Sequence, residues 1–273
     1  MGAPVIELTD VTYQYPDGTV GLRDIDLTVT AGERIAVVGA NGSGKSSLLS
    51  VAGGLETPGA GSVRFFGTVD DPEAVRERLG VLFQNPDDYL FNGTVREDIL
   101  YGPTQFGMDP DRADRRLSEL ADQLSLTAIL DRAPFQLSGG EKQRAALACT
   151  LAFEPTILLL DEPVSSVDSG NHRRMLDAIE SYRQRHEATV VIATPDLSLV
   201  PSVADRVVLL DDGRIRADGS PREILTDAEL LASHGLQLPP IVELFDRLGI
   251  EDKPITVDEA VDRLASASDC ATR

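Results

Sequence analysis

The nine residues Gly39-Ala40-Asn41-Gly42-Ser43-Gly44-Lys45-Ser46-Ser47 fit the pattern G-x-x-x-x-G-K-[ST], and no other stretch narrows the possible folds of this chain as much. The apolar run Arg34-Ile35-Ala36-Val37-Val38 precedes them and Ser47-Leu48-Leu49-Ser50-Val51-Ala52 follows, which gives the strand, loop and helix that the pattern requires. Glycines 39, 42 and 44 let the backbone turn so that successive N–H groups point into one concavity. The helix N-terminus adds partial positive charge there, and a polyphosphate fits. In that arrangement Gly39, Asn41, Gly42, Ser43, Gly44 and Ser47 cradle the phosphates, Lys45 reaches the β- and γ-phosphates, and the Ser46 hydroxyl ligates Mg²⁺.

Charge limits what else the chain can bind. With 45 acidic residues against 25 basic ones the formal charge is −20, so nucleic acid is not expected as a partner. The chain is 42% hydrophobic, which excludes a disordered acidic tract. Lys45, Lys142 and Lys253 are the only lysines. An Arg-for-Lys, Asp-rich surface suits molar salt, where the Debye length is about 3 Å, and a salt-loving host is the expectation. No run approaches the roughly 18 apolar residues of a membrane span, and Met1-Gly2-Ala3-Pro4 lacks the features of a signal peptide, so a soluble, cytosolic chain is expected. Cys149 and Cys270 read as a buried thiol and a tail thiol. His172, His186 and His234 are scattered, with no metal-ligand spacing.

In chain order, Val5 to Tyr15 and Leu22 to Val29 alternate like half-buried strands around the turn Pro16-Asp17-Gly18. An aromatic at the end of the first could stack on an adenine ring, worth about 1–3 kcal/mol. Tyr15 is preferred to Tyr13 because it lies closer to the turn, the alternative being that both pack under the sheet. Ser62 to Phe66 reads as a strand, Ala74 to Leu79 as a short helix, Leu79 to Phe83 as a buried strand ending at Gln84, and Asn85 to Phe91 as a turn. From about Val95 to Leu130 the spacing gives helices broken at Tyr101-Gly102-Pro103, within a helical insert of about 86–140. Ile157 to Leu160 reads as a central strand buried on both faces, with Asp161 and Glu162 at the C-terminal edge where open α/β sheets bind ligands.

A second anion-facing helix end opens at Leu137-Ser138-Gly139-Gly140-Glu141-Lys142-Gln143-Arg144, with Ser138 as its cap. Lying between the phosphate loop and Ile157-Leu158-Leu159-Leu160-Asp161-Glu162, this stretch resembles the signature sequence of ATP-binding-cassette (ABC) ATPases. The resemblance implies an α/β P-loop core with an N-terminal antiparallel subdomain and an inserted helical subdomain. It also implies two subunits head to tail, each ATP held between one phosphate loop and the partner's Leu137, Ser138, Gly139, Gly140 and Glu141. On the same basis Asp161 organises Mg²⁺, Glu162 polarises the attacking water, Gln84 touches both, and Ser165-Ser166-Val167-Asp168 crosses the dimer interface. One position departs from the family: after Thr189-Val190-Val191-Ile192-Ala193 the usual Thr-His-Asp is Thr194-Pro195-Asp196. Proline has no side-chain donor for the γ-phosphate, so slow turnover at this chain's own loop is expected.

The run Phe83-Gln84-Asn85-Pro86-Asp87-Asp88-Tyr89-Leu90-Phe91, with Thr94-Val95-Arg96-Glu97-Asp98-Ile99 and Tyr101-Gly102-Pro103, resembles the A components of energy-coupling factor transporters, importers of cobalt, nickel and vitamins. Family members more often carry glutamine at position 89. The resemblance implies three partners: a second ATPase subunit, a transmembrane component whose coupling helices seat between Gln84 and Met108, and a substrate-binding membrane subunit. The chain would then lie at the cytoplasmic face of the membrane. A soluble ATPase of the iron–sulfur assembly type, or a regulatory ATP-binding subunit, remains the alternative. Residues 1–220 are expected to form the nucleotide-binding domain and 221–273 a C-terminal helical extension. There Val242, Phe245, Leu248 and Val257, Val261, Leu264 form apolar faces that either pack on the main domain or join two ATPases, with 265–273 frayed.

Overall fold

The two sheets meet in one shared hydrophobic cluster, and the large sheet packs a second on its other face. The computed structural model describes residues 2–68, 71–165 and 167–271. The strands β1 (Pro4–Gln14) and β2 (Val20–Thr30) lead into β3 (Arg34–Val38), helix α1 (Lys45–Ala52), β4 (Ala60–Phe65) and β5 (Leu79–Leu82). Three helices follow, α2 (Val95–Gln105), α3 (Pro110–Gln123) and α4 (Gly139–Ala152). After them come β6 (Ile157–Asp161), α5 (Ser169–His186), β7 (Thr189–Thr194), α6 (Val200–Val203), β8 (Arg206–Asp211) and β9 (Arg214–Gly219). The chain closes with α7 (Pro221–Leu225), α8 (Ala228–Ser233), α9 (Pro240–Arg247) and α10 (Val257–Ala271).

β2, β1 and β4 form an antiparallel sheet, and the larger sheet runs β5-β6-β7-β3-β8-β9, parallel except for β9. Every residue of β6 and β7 is buried, as strands covered on both faces must be. Alternation divides them between two cores. Ile157 and Leu159 face α1 and the antiparallel sheet, whereas Leu158 and Leu160 face α4 and α5. β3 thus lies between β7 and β8, and its C-terminal end delivers the chain to Gly39 in the middle of the sheet edge.

Two local expectations are corrected. The helix does not break at Tyr101-Gly102-Pro103: α2 runs through to Gln105 and the chain leaves it at Phe106. Pro103 is near the helix end and buried, and the Thr104 hydroxyl donates to the Leu100 carbonyl at 2.8 Å, so a proline that would break a helix centre is tolerated. Ala74 to Leu79 is a 3₁₀ turn over Pro72–Arg78, capped by the Asp71 side chain. Of the C-terminal apolar positions, Val242 and Phe245 are fully buried, but Leu248 (59%), Val257 (63%), Val261 (58%) and Leu264 (52%) are open. Helix α10 continues past Leu264 to Ala271, so the fraying expected from 265 does not begin there. The Cys270 side chain lies outside the described part of that helix. Among the described residues, no helix is long and apolar enough to cross a membrane.

Candidate nucleotide site

A cavity of about 530 Å³ opens at the C-terminal edge of the parallel strands. Its walls bring together Asn41, Gly42, Gly44, Lys45, Ser46 and Ser47 from the loop with Tyr15, Gln84, Glu162 and Pro195 from four other segments. Gly44 precedes α1 at φ 106°, a conformation open to glycine, and a Cβ there would stand 2.6 Å from the Gly21 carbonyl oxygen. Gly213, on the β8–β9 turn, presses on the same carbonyl: a Cβ there would approach it to 2.7 Å. Its amide also donates to the Ser43 carbonyl at 2.9 Å. The loop is therefore held from two sides by backbone.

Lys45 is 5% exposed and its ammonium donates to the Gly39 and Ala40 carbonyls at 2.9 and 3.0 Å, so its charge is parked on the rim of the loop it serves. Burial lowers its pKa, while the nearby carboxylates Glu162 and Asp161 act in the opposite sense. Asp161, 2% exposed at the end of β6, has its pKa raised by the same burial, partly offset by a hydrogen bond from the Ser46 hydroxyl and by the Lys45 charge. Neither charge is comfortable without a partner.

Glu162 turns the chain out of β6 at φ 47°, pinned by its amide to the Ala193 carbonyl at 2.9 Å and by the Ser165 hydroxyl to its own carbonyl at 3.1 Å. Its carboxylate accepts from the Gln84 amide at 3.5 Å, which joins the ends of β5 and β6 across the cavity. Since Asp161 pairs with Ala193, Pro195 sits one position beyond the level of Glu162, at the end of the next strand. Tyr15 is 40% exposed and its hydroxyl lies 2.6 Å from that of Ser47, whereas Tyr13 is buried at 4% and meets the Tyr15 ring edge to face. The two tyrosines therefore do different work: one packs, one lines the cavity. Asp168 caps α5 by accepting from the amides of Gly170 and Asn171 and from the Asn171 side chain, bonds that hold its carboxyl below the usual range. Ser166 lies outside the described residues.

The second helix end stands apart. Ser138 and Glu141 form a reciprocal capping box at the start of α4, the Ser138 amide and hydroxyl donating to the Glu141 carboxylate at 2.7 and 2.9 Å. Leu137 anchors it in the core, while Ser138 and Gly139 are exposed and none of residues 137–141 lines the cavity. Sequence reasoning passed over Thr19, Val20 and Gly21, which complete the cavity wall, and the Lys142–Asp87 ion pair at 2.5 Å, which ties α4 to the turn after Gln84. Neither carries a motif.

The residues fit a hard divalent cation. The Ser46 hydroxyl, the buried Asp161 carboxylate and the Gln84 amide are oxygen donors at the foot of the phosphate loop. Among the described residues no cluster of three or more His, Cys, Asp or Glu competes with them as an all-protein cage.

A phosphate loop on a parallel sheet, a carboxylate pair at the neighbouring strand end and a capped glycine helix end outside the cavity define an ATP-binding cassette. The family model described as ABC transporter matches residues 22–165. The energy-coupling factor transporter ATP-binding protein EcfA of Methanothermobacter thermautotrophicus is 40% identical over 273 residues, covering 95% of this chain and 86% of that one. Its namesake in Methanococcus maripaludis is 38% identical, covering 91% of each. Among solved structures, cbiO1 from Clostridium perfringens, part of the ABC transporter complex cbiONQ, superposes with a TM-score of 0.73 at 29% identity over 89% of this chain and 99% of that one. An ATP-binding cassette solved as a dimer in a post-hydrolysis state with ADP and Pi superposes at 0.72 with 28% identity, over 80% of this chain and 99% of that one. The chain belongs to the ABC transporter family of ATPases, among the energy-coupling factor ATP-binding proteins.

Proposed function

We propose that this chain is the motor subunit of an energy-coupling factor importer for a transition metal ion or a vitamin, closing on a second ATPase subunit when both hold Mg-ATP. The observation that carries this reading is the split of the phosphate-seeking groups. Lys45, Ser46, Gln84 and Glu162 converge on one cavity, and the helix end at Ser138–Glu141 lies outside it, so an ATP bound to the loop would leave one side for a second chain's signature helix. Lys45 would exchange its two carbonyl contacts for phosphate oxygens, and Tyr15 would flank the adenine. Glu162, whose carboxylate accepts from Gln84, would take a hydrogen bond from the attacking water. Mg²⁺, held through Ser46, Asp161 and Gln84, would neutralise charge on the β- and γ-phosphates. Pro195 supplies no donor to that wall, which makes the own-site turnover slow and favours an unlike ATPase partner with a complete site.

Two surfaces support the partners. Leu244 and Leu248 at the end of α9 and Val257, Val261 and Leu264 on α10 are all half or more exposed, apolar positions suited to a second ATPase. Phe91 and Tyr101, edge to face at 5.0 Å and 60% and 46% exposed, offer a surface beside α2 on which a membrane component's coupling helix would rest, which would put the chain at the cytoplasmic face. The test uses Glu162→Gln, which should bind ATP but not cleave it. In Mg-ATP it should elute as a dimer, or as a heterodimer with a co-expressed partner ATPase, and Ser138→Arg should abolish that dimer. A monomer under saturating Mg-ATP with every partner, despite measured nucleotide binding, defeats the reading.

A further inference from the structure

β5 is the edge strand of the large sheet, and among the described residues its outer side has no neighbouring strand. The Thr156 amide donates to the Arg78 carbonyl at 3.0 Å, so even-numbered residues here face β6 and the polar groups of residues 81 and 83 face outward. Unpaired outward groups leave the end of an edge strand free to shift. Here one side chain reaches both groups, and the Val81 carbonyl also accepts from the Thr150 hydroxyl at 3.5 Å. The Tyr89 hydroxyl accepts from the Phe83 amide at 2.8 Å and donates to the Val81 carbonyl at 3.0 Å, as a neighbouring strand would.

The pairing of β5 with β6 ends at Leu82–Leu160, and Gln84 lies just beyond it. Without the tyrosine the chain would leave the sheet at that point. With it, the Phe83 amide is held, one residue before the glutamine whose amide meets Glu162. The Tyr89 ring packs against the core formed by α2, α4 and β6, and the turn that carries it is joined to α4 through Asp87 and Lys142. The hydroxyl therefore fixes the end of β5 to the same body that presents the signature helix end.

We propose that Tyr89 is a positioning residue for Gln84: its hydroxyl, by closing the open edge of β5, sets where the glutamine amide stands relative to Glu162 and the metal, and carries any displacement of the Pro86–Phe91 turn to that amide. The proposal rests on the reading of Gln84 as a group that works on the metal and the water.

A double-mutant cycle on the full chain tests it, with single-turnover cleavage of Mg-ATP and thermal stability measured for wild type, Tyr89→Phe, Gln84→Ala and the double variant. Tyr89→Phe keeps the ring and loses only the two hydrogen bonds. It should slow turnover about three- to tenfold with little change in ATP affinity, and should have no further effect once Gln84 is alanine. Its small stability loss should be the same in both backgrounds, which separates positioning from a general loosening. Independently, hydrogen exchange at the Phe83 amide should quicken in Tyr89→Phe. An unchanged turnover in Tyr89→Phe, or an equal slowing with and without Gln84, overturns the proposal alone. A Gln84→Ala variant with full turnover overturns the role of Gln84 and the proposal with it.

Discussion

Replacing Pro195 with histidine should speed ATP cleavage by at least tenfold. The position lines the cavity with Lys45, Gln84 and Glu162, one residue beyond the point where the β6–β7 register would set Glu162 against Thr194, so an imidazole there would face the same cavity. A fixed donor to developing charge is typically worth about 2.7–4 kcal/mol, or 10²–10³ in rate. Position 195 is exposed, so water weakens such a bond and the lower part of that range, or somewhat less, applies. The local fold should survive, since the turn that follows is held by Asp196, which accepts from the Ser198 amide and hydroxyl at 2.9 and 2.6 Å. Losing proline's restriction on the unfolded chain costs about 0.4–1 kcal/mol, which lowers the melting midpoint by about 1–4 °C. The assay is single-turnover hydrolysis at saturating Mg-ATP, beside Glu162→Gln as the inactive reference. If Pro195→His binds ATP normally and cleaves it no faster than wild type, another group already supplies the donor and the argument from proline fails.

Asp161→Asn should stabilise the nucleotide-free protein by about 1 kcal/mol, or about 2–4 °C, while removing Mg-dependent cleavage. Burial raises the Asp161 pKa, so its ionised form costs stability above that value and the cost disappears as pH falls toward about 4; the melting advantage of the variant should shrink over the same interval. Asp205 is the opposite case: its hydrogen bond from Arg34 depresses its pKa, so it stabilises above about pH 4 and ceases to as pH falls through its folded value. Asp205→Asn should therefore cost about 0.5 kcal/mol at neutral pH, in line with a largely exposed pair, and progressively less as pH falls below about 4. Val261→Asp, on the open stripe of α10, should weaken self- or partner-association in sedimentation at least tenfold and leave ATP binding to the isolated chain unchanged. With a formal charge of −20, the chain should gain melting temperature as KCl rises from about 0.05 M to about 1 M; a flat curve would remove the case for a salt-adapted surface.

The sheet was legible because its strands are short apolar runs with no competing period: Ile157 to Leu160 and Thr189 to Ala193 can be little else, and the phosphate loop fixes which strand is central. The helix through Pro103 was not, because a proline's cost depends on how many residues lie beyond it, which periodicity does not report. Tyr13 and Tyr15 illustrate a finer limit. Alternation assigns both to one side, yet register shifts around Val11, Tyr13 and Gln14 turn the strand end so that Tyr13 enters the core and Tyr15 meets Ser47. Distance from the turn suggested the preference, but only the irregular backbone accounts for it. Tyr89 could be singled out as unusual from sequence, but its two contacts are to main-chain atoms, and those leave no trace in residue types.

Gly21, Gly44 and Gly213 come from a hairpin, a helix entrance and a late turn, and they meet with so little room that a single methyl group on Gly44 or Gly213 would collide with main chain. Such a junction acts like a rivet through three plates. Drift can lengthen or recolour each plate elsewhere, but any shift of one relative to the others at that point loosens the nucleotide's seat. The hairpin beside Tyr15 and the loop before α1 are therefore bound to move as one part, and any larger motion must come from the segments that the rivet does not fasten.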